Sequence, residues 1–515
     1  MSESKPIDSK LRNLHLAMQY DDEGYPELRV GARIVSPDPL PVTLGSESIT
    51  ITGDVNVSSS VGINNTEEDA ANMHIASVGT SGVLTTDYLP VGGTVEATQG
   101  TNPWIVSGSV TALDDPTATD AFGRKRVSNP FTLFDSSFRY SDNPTKWNSS
   151  TSGTTSETFL PNESSIGLAV GGANGDSIIR ETKRVFNYQP GKSLLIMSTF
   201  VMNAGKPNLR QRVGYFGAQN GIYFELEGTT KNLVIRKYIS GVVDDTTEKV
   251  PQGNWNGDRL NGLSGLHNPS GFDLDPSTSQ IFWMDVEWLG VGSVRCGFVI
   301  NGKFIVCHTF DHANSFTSVY MTTASLPLRY EITNTGITGG ASSMKQICST
   351  VISEGGYAAT SRSRSASTTL EGPQVSQTNW TPLVSIRLKS ARLDGIVFPA
   401  RLDVFGRQSN PYKWGVFVGG TLSNNSTLTW VDAGSDSSVE YNLNATAITG
   451  GTLIDQGIFV GNAIGGPVSA TPVGQSQDVQ LGRLLNGTAE TLTVAAIATN
   501  NNYTAVCSLV WQEFG

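Results

Sequence analysis

Few side chains in this sequence have the types and spacing that joint catalysis or metal binding requires. One acidic pair is the first candidate. Asp285 and Glu287 alternate with apolar residues in the segment 282–288. In a strand their Cα atoms would lie about 6.5–7 Å apart, which suits some glycosidase carboxylate pairs. A half-buried strand with a polar outer face produces the same pattern routinely. We therefore expect Asp285 and Glu287 to be structural and not catalytic.

His308 and His312 form the only histidine cluster among the five histidines of the chain. In a strand the two residues would lie about 13 Å apart, too far to share a metal ion. A bend near Asp311 would bring the two rings together, and this alternative stays open on the sequence. The expected arrangement is a strand end with two partly exposed histidines and no metal site.

The familiar catalytic and cofactor motifs are missing from the sequence. It contains no GxxxxGK[ST] phosphate loop, no HExxH metalloprotease motif and no GxSxG nucleophile elbow. The glycine-rich segment 171–175 does not open a helix, as a phosphate-binding loop would. A Ser-His-Asp arrangement stays open, because the chain is rich in serine. We predict no catalytic residue, no cofactor and no enzymatic activity.

Composition excludes several classes of protein. The chain has 515 residues, of which only 16% are charged, a net charge of −11 and 55 glycines. The negative net charge argues against a nucleic-acid partner, because proteins that bind nucleic acids carry a patch or stripe of basic residues. No apolar run approaches the roughly 20 residues of a membrane helix, so we expect no membrane insertion. The polar N-terminus argues against a secretory signal and favours synthesis in a cytoplasm.

The dominant periodicity is two, with short β-branched and aromatic runs between Gly, Asn, Ser and Pro clusters. This pattern is typical of strands and predicts an all-β fold. Only residues 11–18 and 208–212 could form a turn or two of helix. The N-terminal part contains a weak repeat of paired short strands, at 40–57 and 89–112. It predicts either a fibrous stalk of identical chains or hairpins packed on the next domain, and the sequence leaves both open.

The best local prediction is a β-hairpin around Asn301-Gly302, a pair that favours a type I′ turn. With a two-residue loop, paired positions sum to 603, so Cys296 would face Cys307 at a distance that permits a disulfide. We favour free thiols, since the composition suggests a cytoplasmic product. Because both faces of the hairpin are apolar, we expect it in the middle of a sandwich, covered on both sides.

Shifts in composition predict the domain organisation. Residues 1–128 form an N-terminal β-repeat or attachment region, 129–360 a central β-sandwich and 380–515 a C-terminal β-sandwich, both sandwiches jelly-roll-like. The Ser/Arg-rich stretch 361–379 between them indicates a linker or exposed loop. In the C-terminal sandwich, Trp414 and Trp430 are candidates for stacking on sugar rings.

Several segments together resemble virion structural proteins of tailed bacteriophages. They include TDAFGRKRVS at 119–128, PFTLFDS at 130–136, YQPGKS at 188–193, RQRVGYF at 210–216, NGIYF at 220–224, WLGVGSVR at 288–295 and LPLRYEITNTG at 326–336. The likeness covers about residues 119–357. It implies a virion component such as a tail-fibre, baseplate or head-surface protein, and it implies no catalytic residues.

These observations predict a non-enzymatic structural protein of a tailed-phage virion, tail-associated in a fibre or baseplate. Its expected partners are copies of itself, with a homotrimer favoured, and other virion proteins. A capsid-surface decoration protein and an adhesin for host surface glycan are the alternatives. Low charge with many small polar residues suits close packing in a symmetric assembly.

Overall fold

The computed structural model describes residues 16–20, 26–30, 129–263, 265–358, 360–461, 468–470 and 479–514. The predicted N-terminal repeats lie outside these residues. The chain divides into two compact units, 1–110 and 111–515. In the first, strands β1 (Leu16–Tyr20) and β2 (Pro26–Val30) pair antiparallel. The expectation of helix over residues 11–18 is therefore wrong for its last three residues.

The central part of the second unit is a sandwich of two antiparallel sheets. Its strands are β3 (Phe131–Ser137), β4 (Trp147–Ser152), β5 (Thr155–Leu160), β6 (Ser165–Val170), β7 (Ser177–Thr182), β8 (Leu194–Val201), β9 (Leu209–Phe216), β10 (Gly221–Glu227), β11 (Thr230–Lys237), β12 (Asp244–Pro251), β13 (Gln280–Val286), β14 (Val294–Ile300), β15 (Lys303–Phe310), β16 (Leu328–Asn334) and β17 (Ser342–Ser353). The seven-stranded sheet has the order β12-β11-β10-β9-β16-β7-β4. The eight-stranded sheet has the order β15-β14-β13-β8-β17-β6-β5, with β3 also pairing with β17. A single-turn 3₁₀ helix, Gln252–Asn254, follows β12.

The central core lies between these two sheets and confirms the all-β prediction. Alternate residues of each strand enter it, such as Ile222 and Phe224 of β10 and Phe282 and Met284 of β13, all fully buried. Their aromatic rings contact one another, with the Phe224 and Phe282 centroids 6.0 Å apart. The helix considered for residues 208–212 is wrong, because β9 begins at Leu209 and alternates inward and outward from there.

The hairpin prediction is confirmed at its turn and wrong further out. Asn301 and Gly302 have φ values of 52° and 75°, and the predicted register holds from the turn to Gly297. A β-bulge then shifts the pairing, so that Cys296 faces His308 and not Cys307. Both cysteines are free and buried.

The position of the hairpin also differs from the prediction. Strand β15 is at the edge of the eight-stranded sheet, and Phe304 on its outer face is 53% exposed. An apolar outer face therefore does not mean that a second layer covers it.

The C-terminal part of the second unit is a smaller sandwich with its own core. Its strands are β18 (Arg362–Ser367), β19 (Thr381–Leu388), β20 (Ile396–Gly406), β21 (Pro411–Val418), β22 (Thr421–Ser423), β23 (Trp430–Asp432), β24 (Val439–Asn442), β25 (Ala447–Thr449), β26 (Thr452–Val460), β27 (Val468–Ala470), β28 (Thr491–Ala498) and β29 (Ala505–Phe514). Sheets of order β18-β29-β20-β27 and β23-β24-β19-β28-β21-β26 enclose the core, and β22 pairs with β25.

The segment predicted as a linker is in part a strand. Residues 362–367 form β18, which pairs with β29 along its whole length. Only Ala366 is buried in this strand. An edge strand has one face in solvent, so Ser and Arg side chains are tolerated on it. The composition of residues 362–367 therefore indicated a linker although they form a strand.

Polar contacts join the two sandwiches. The segment before β28 crosses to the central sandwich, where Lys183 Nζ lies 2.7 Å from Glu490 Oε1. Two backbone N–H groups of the same segment donate to the central sandwich: Arg483 to the Lys183 carbonyl at 2.7 Å and Leu485 to Asn148 Oδ1 at 2.7 Å. Residues 483–490 therefore attach the C-terminal sandwich to the central sandwich at Asn148 and Lys183.

Candidate functional site

The outward face of the seven-stranded sheet carries an unusual concentration of paired charges. We call it the ion-pair face and define it by nine residues: Glu181, Arg210, Arg212, Glu225, Arg236, Asp245, Lys249, Arg329 and Glu331. Each of them forms at least one ion pair with another member of the set.

Strand register creates this arrangement. Arg212 of β9 lies opposite Glu225 of β10 on one side and opposite Glu331 of β16 on the other. Arg212 Nε donates to Glu225 Oε2 at 2.7 Å, and the Arg212 side chain is only 6% exposed. Opposite charges on neighbouring strands stabilise a sheet, and here they continue across several strands.

Aromatic rings fill the spaces between the charges. Phe216, Tyr223 and Val234 form a small apolar cluster that is completely buried. The guanidinium of Arg236 lies 5.6 Å from the Phe216 ring centroid, and that of Arg212 lies 5.0 Å from the Tyr223 centroid. Stacked guanidinium groups and rings leave little room on this face for a ligand.

Two acidic groups of the ion-pair face, Glu225 and Asp245, are held ionised. Burial would raise the pKa of Glu225, but ion pairing with Arg212 and Lys249 outweighs burial and lowers it. Burial likewise opposes ionisation of Asp245, whose pKa is lowered by Arg212 and Arg236. A general acid needs a carboxyl that stays protonated near neutral pH, so these two groups are unsuited to that role.

The predicted carboxylate pair does not form a cleft. Asp285 is 9% exposed in β13 and forms an ion pair with Arg295 of β14. Glu287 follows the end of β13 and is exposed. The Asp285 carboxylate is thus paired, and Glu287 is exposed.

The two histidines are more buried than the sequence predicted, and the expectation of partial exposure is wrong. His308 accepts a hydrogen bond from the Asn256 N–H at 3.1 Å, and burial lowers its pKa. His312 is 1% exposed, with Nδ1 2.7 Å from the Gly292 carbonyl and Nε2 3.0 Å from Glu248 Oε1. Both ring nitrogens of His312 therefore lie within hydrogen-bond distance of oxygen atoms of the protein. Within the described residues, no group of three or more potential ligands could hold a metal ion.

The two tryptophans considered for glycan stacking have different environments. Trp414 is 9% exposed and belongs to the C-terminal core, so its ring is not available to a sugar. Trp430 is half-buried, and the Arg387 guanidinium lies 3.9 Å from its ring centroid. Arg387 is itself fixed by Glu440, with 2.6 Å between Nε and Oε1. One face of Trp430 is thus already occupied.

A cleft of about 570 Å³ opens between the two sandwiches. Its walls are residues 187–190 and 192 of the central sandwich, residues 358 and 360–362 at the start of β18, and residues 513 and 514 at the end of β29. The volume lies within the range of small-molecule sites, roughly 300–1,000 Å³.

The cleft lining combines hydrogen-bonding groups with an aromatic ring. Lys192 Nζ donates to Gln189 Oε1 at 2.8 Å and to the Gly356 carbonyl at 3.3 Å, both neutral acceptors. Arg362 also lines the cleft; its Nη1 lies 3.1 Å from Asp436 Oδ2, and its side chain is 64% exposed. The ring of Phe514 packs edge-on against Phe398 at 5.5 Å. Amides, cations and a ring are the groups that recognise polar, ring-shaped ligands.

Sequence reasoning missed both the cleft and the ion-pair face. Lys192 and Arg362 are 170 positions apart in the chain, and nothing local links them. The ion-pair face did leave a signal, because Arg329 and Glu331 alternate with the apolar residues Leu328, Tyr330 and Ile332.

Comparison with known proteins places the chain in no family. No family model and no curated sequence matches it. Solved structures that it resembles include the Emp47p carbohydrate recognition domain, with 11% identity over 44% of this chain and 99% of that chain and a TM-score of 0.28. Cellulose induced protein Cip1 is 11% identical over 42% of this chain and 96% of that chain, with a TM-score of 0.27. A glycoside hydrolase family protein from Mycobacterium thermorestibile is 12% identical over 42% of this chain and 99% of that chain, with a TM-score of 0.30. Likenesses this remote carry no conclusion about function.

In the part of the chain that the structure describes, no helix has the length and apolarity required to cross a membrane.

Proposed function

We propose that this protein is a non-enzymatic structural component of a tailed-phage virion, carried on the tail in a fibre or baseplate. The observation that supports the structural role is the ion-pair face. A broad sheet face that could have held a substrate groove is instead filled by interlocking charged and aromatic side chains. Such a face stabilises a permanent shape, and its Glu225 and Asp245 carboxylates are held ionised by ion pairing.

The virion location is supported by the resemblance of residues 119–357 and by the low charge of the chain. Immunogold labelling of purified particles with an antibody against the intact protein tests it. We expect label at the tail. Label on the capsid would favour the decoration alternative, and particles without label would overturn the virion proposal.

Assembly as a homotrimer belongs to the same proposal. Light scattering after size exclusion should give three times the chain mass of 54.9 kDa. A monomer at high protein concentration would contradict the trimer and leave the structural role of the ion-pair face unaffected.

A second candidate function, binding of host surface glycan, is favoured by the inter-sandwich cleft. Its hydrogen-bonding groups and aromatic ring suit a sugar, and the polar contacts that fix the sandwiches relative to each other preorganise it. A glycan array probed with the intact protein tests this adhesin role. Glycosidase activity is a separate outcome: Asp285→Asn should leave any glycan binding unchanged, and cleavage that this variant abolishes would overturn the non-enzymatic proposal.

A further inference from the structure

We propose that the cleft between the two sandwiches binds an acidic oligosaccharide, whose carboxylate is received by Lys192 and Arg362 of the cleft lining. This inference rests on the adhesin function proposed above and adds the class of glycan.

The charge around the cleft favours an anion. The Lys192 ammonium donates to an amide oxygen and a backbone carbonyl, so its two hydrogen-bond partners here leave its charge uncompensated. Asp436 is shared between Arg362 and Arg364, at 3.1 and 2.6 Å, so two cations face one anion. A carboxylate on the ligand would supply the missing negative charge.

The acidic residue in the lining does not oppose this assignment. Both Glu513 oxygens are engaged by donors of the C-terminal sandwich. Oε1 accepts from the Trp511 indole at 2.8 Å and from the Ser437 hydroxyl at 2.5 Å, and Oε2 accepts from the Ser438 N–H at 2.9 Å. The carboxylate is therefore held against the C-terminal sandwich by neutral donors and keeps its negative charge. Three cations, Lys192, Arg362 and Arg364, then stand against two anions, Asp436 and Glu513, so the surroundings of the cleft remain net positive.

The remaining lining suits the sugar ring. Asn187 supplies an amide that can donate to and accept from hydroxyl groups. The Gln189 amide is already engaged, because Nε2 donates to the Ala358 carbonyl and Oε1 accepts from the Ala358 N–H at 2.9 Å and from Lys192. Phe514 presents an apolar ring at the end of β29, and aromatic rings pack against the C–H faces of sugars. Tyr188 contributes only its ring, because its hydroxyl accepts hydrogen bonds from the N–H groups of Trp288 and Leu289 at 3.1 and 3.2 Å.

The test uses the intact protein on an array of matched pairs, each an acidic oligosaccharide and its neutral methyl ester. We expect the bound members to be acidic, with about tenfold tighter binding than their esters, the effect of one charge-assisted hydrogen bond. Lys192→Gln and Arg362→Gln should each remove most of that preference. Lys303→Gln, the same charge change on the exposed hairpin turn, should preserve it. Circular dichroism and thermal unfolding of each variant exclude misfolding as the cause.

The outcomes separate the two proposals. Equal binding of acids and esters, or a Lys192→Gln variant that behaves like Lys303→Gln, would overturn the acidic-ligand inference and leave the adhesin function standing. An array on which the wild-type protein binds no glycan would overturn both.

Discussion

Arg483 of the C-terminal sandwich pairs with Glu181 of the central sandwich, with 2.7 Å between Nη2 and Oε1. Glu181 is fully buried and also accepts from Arg329 Nε at 2.6 Å. A single carboxylate therefore belongs both to the ion-pair face and to the junction between the sandwiches. Loss of this group should affect both.

We expect Glu181→Gln to lower the free energy of unfolding by about 3–5 kcal/mol, because the buried guanidinium of Arg329 and the partly buried guanidinium of Arg483 lose their carboxylate. Arg483→Gln should cost about 1.5–3 kcal/mol, since Arg329 still compensates Glu181. Urea unfolding followed by tryptophan fluorescence measures both values. Arg401→Gln is the control, because its pair with Asp403 is largely exposed and should be worth less than about 1 kcal/mol. Equal midpoints for Glu181→Gln and the control would contradict the role of Glu181.

The sequence predicted what short-range patterns determine. Period-two alternation identified the strands, and Asn301-Gly302 identified the hairpin turn together with its nearby register. The prediction of the hairpin register failed where one extra residue in a strand shifts the pairing. The bulge beside Cys296 shifts one strand by one position, and no local composition marks it.

Features that depend on strand order were out of reach. The same apolar alternation occurs in central and edge strands, so the exposure of Phe304 and the strand at 362–367 could not be deduced from it. The candidate cleft combines residues near 190, 362 and 513, and only the packing of two sandwiches brings them together.

Gly297 should be the least replaceable residue of the hairpin. A Cβ at this position would lie 1.8 Å from the Ile305 carbonyl oxygen and 3.0 Å from Trp283 Nε1. We expect Gly297→Ala to cost about 3 kcal/mol or more, because the backbone must move to relieve the overlap. Gly302→Ala at the turn should cost about 1–2 kcal/mol for its positive φ. Gly253→Ala has open space around the new methyl group and is the control. A thermal midpoint for Gly297→Ala equal to that of Gly253→Ala would show that the close approach is wrong.

Thiol reactivity should distinguish one cysteine from the other three. Burial raises the pKa of Cys296, Cys307 and Cys507, which also lie away from solvent. Cys348 is exposed. Because the thiolate is the reactive form, Ellman's reagent should modify one thiol quickly in native protein and four after denaturation without reductant. Cys348→Ser should abolish the fast phase. Fewer than four groups in the denatured sample would reveal a disulfide and contradict the free thiols.

Acid should destabilise the protein through the ion-pair face. The folded-state pKa of Glu225 is lowered, since Arg212 and Lys249 outweigh the opposing effect of burial. A carboxyl with a depressed folded-state pKa adds stability above its unfolded-state pKa, about 4.3 for glutamate. That stability is lost as the pH falls through the folded-state value. We expect the urea midpoint to be nearly constant from pH 7 to 5 and to fall below about pH 4. Glu225→Gln should start lower at pH 7 and fall less steeply, whereas Glu371→Gln, at an exposed side chain, should follow the wild-type curve. Parallel curves for wild type and Glu225→Gln would show that Glu225 does not carry the acid sensitivity.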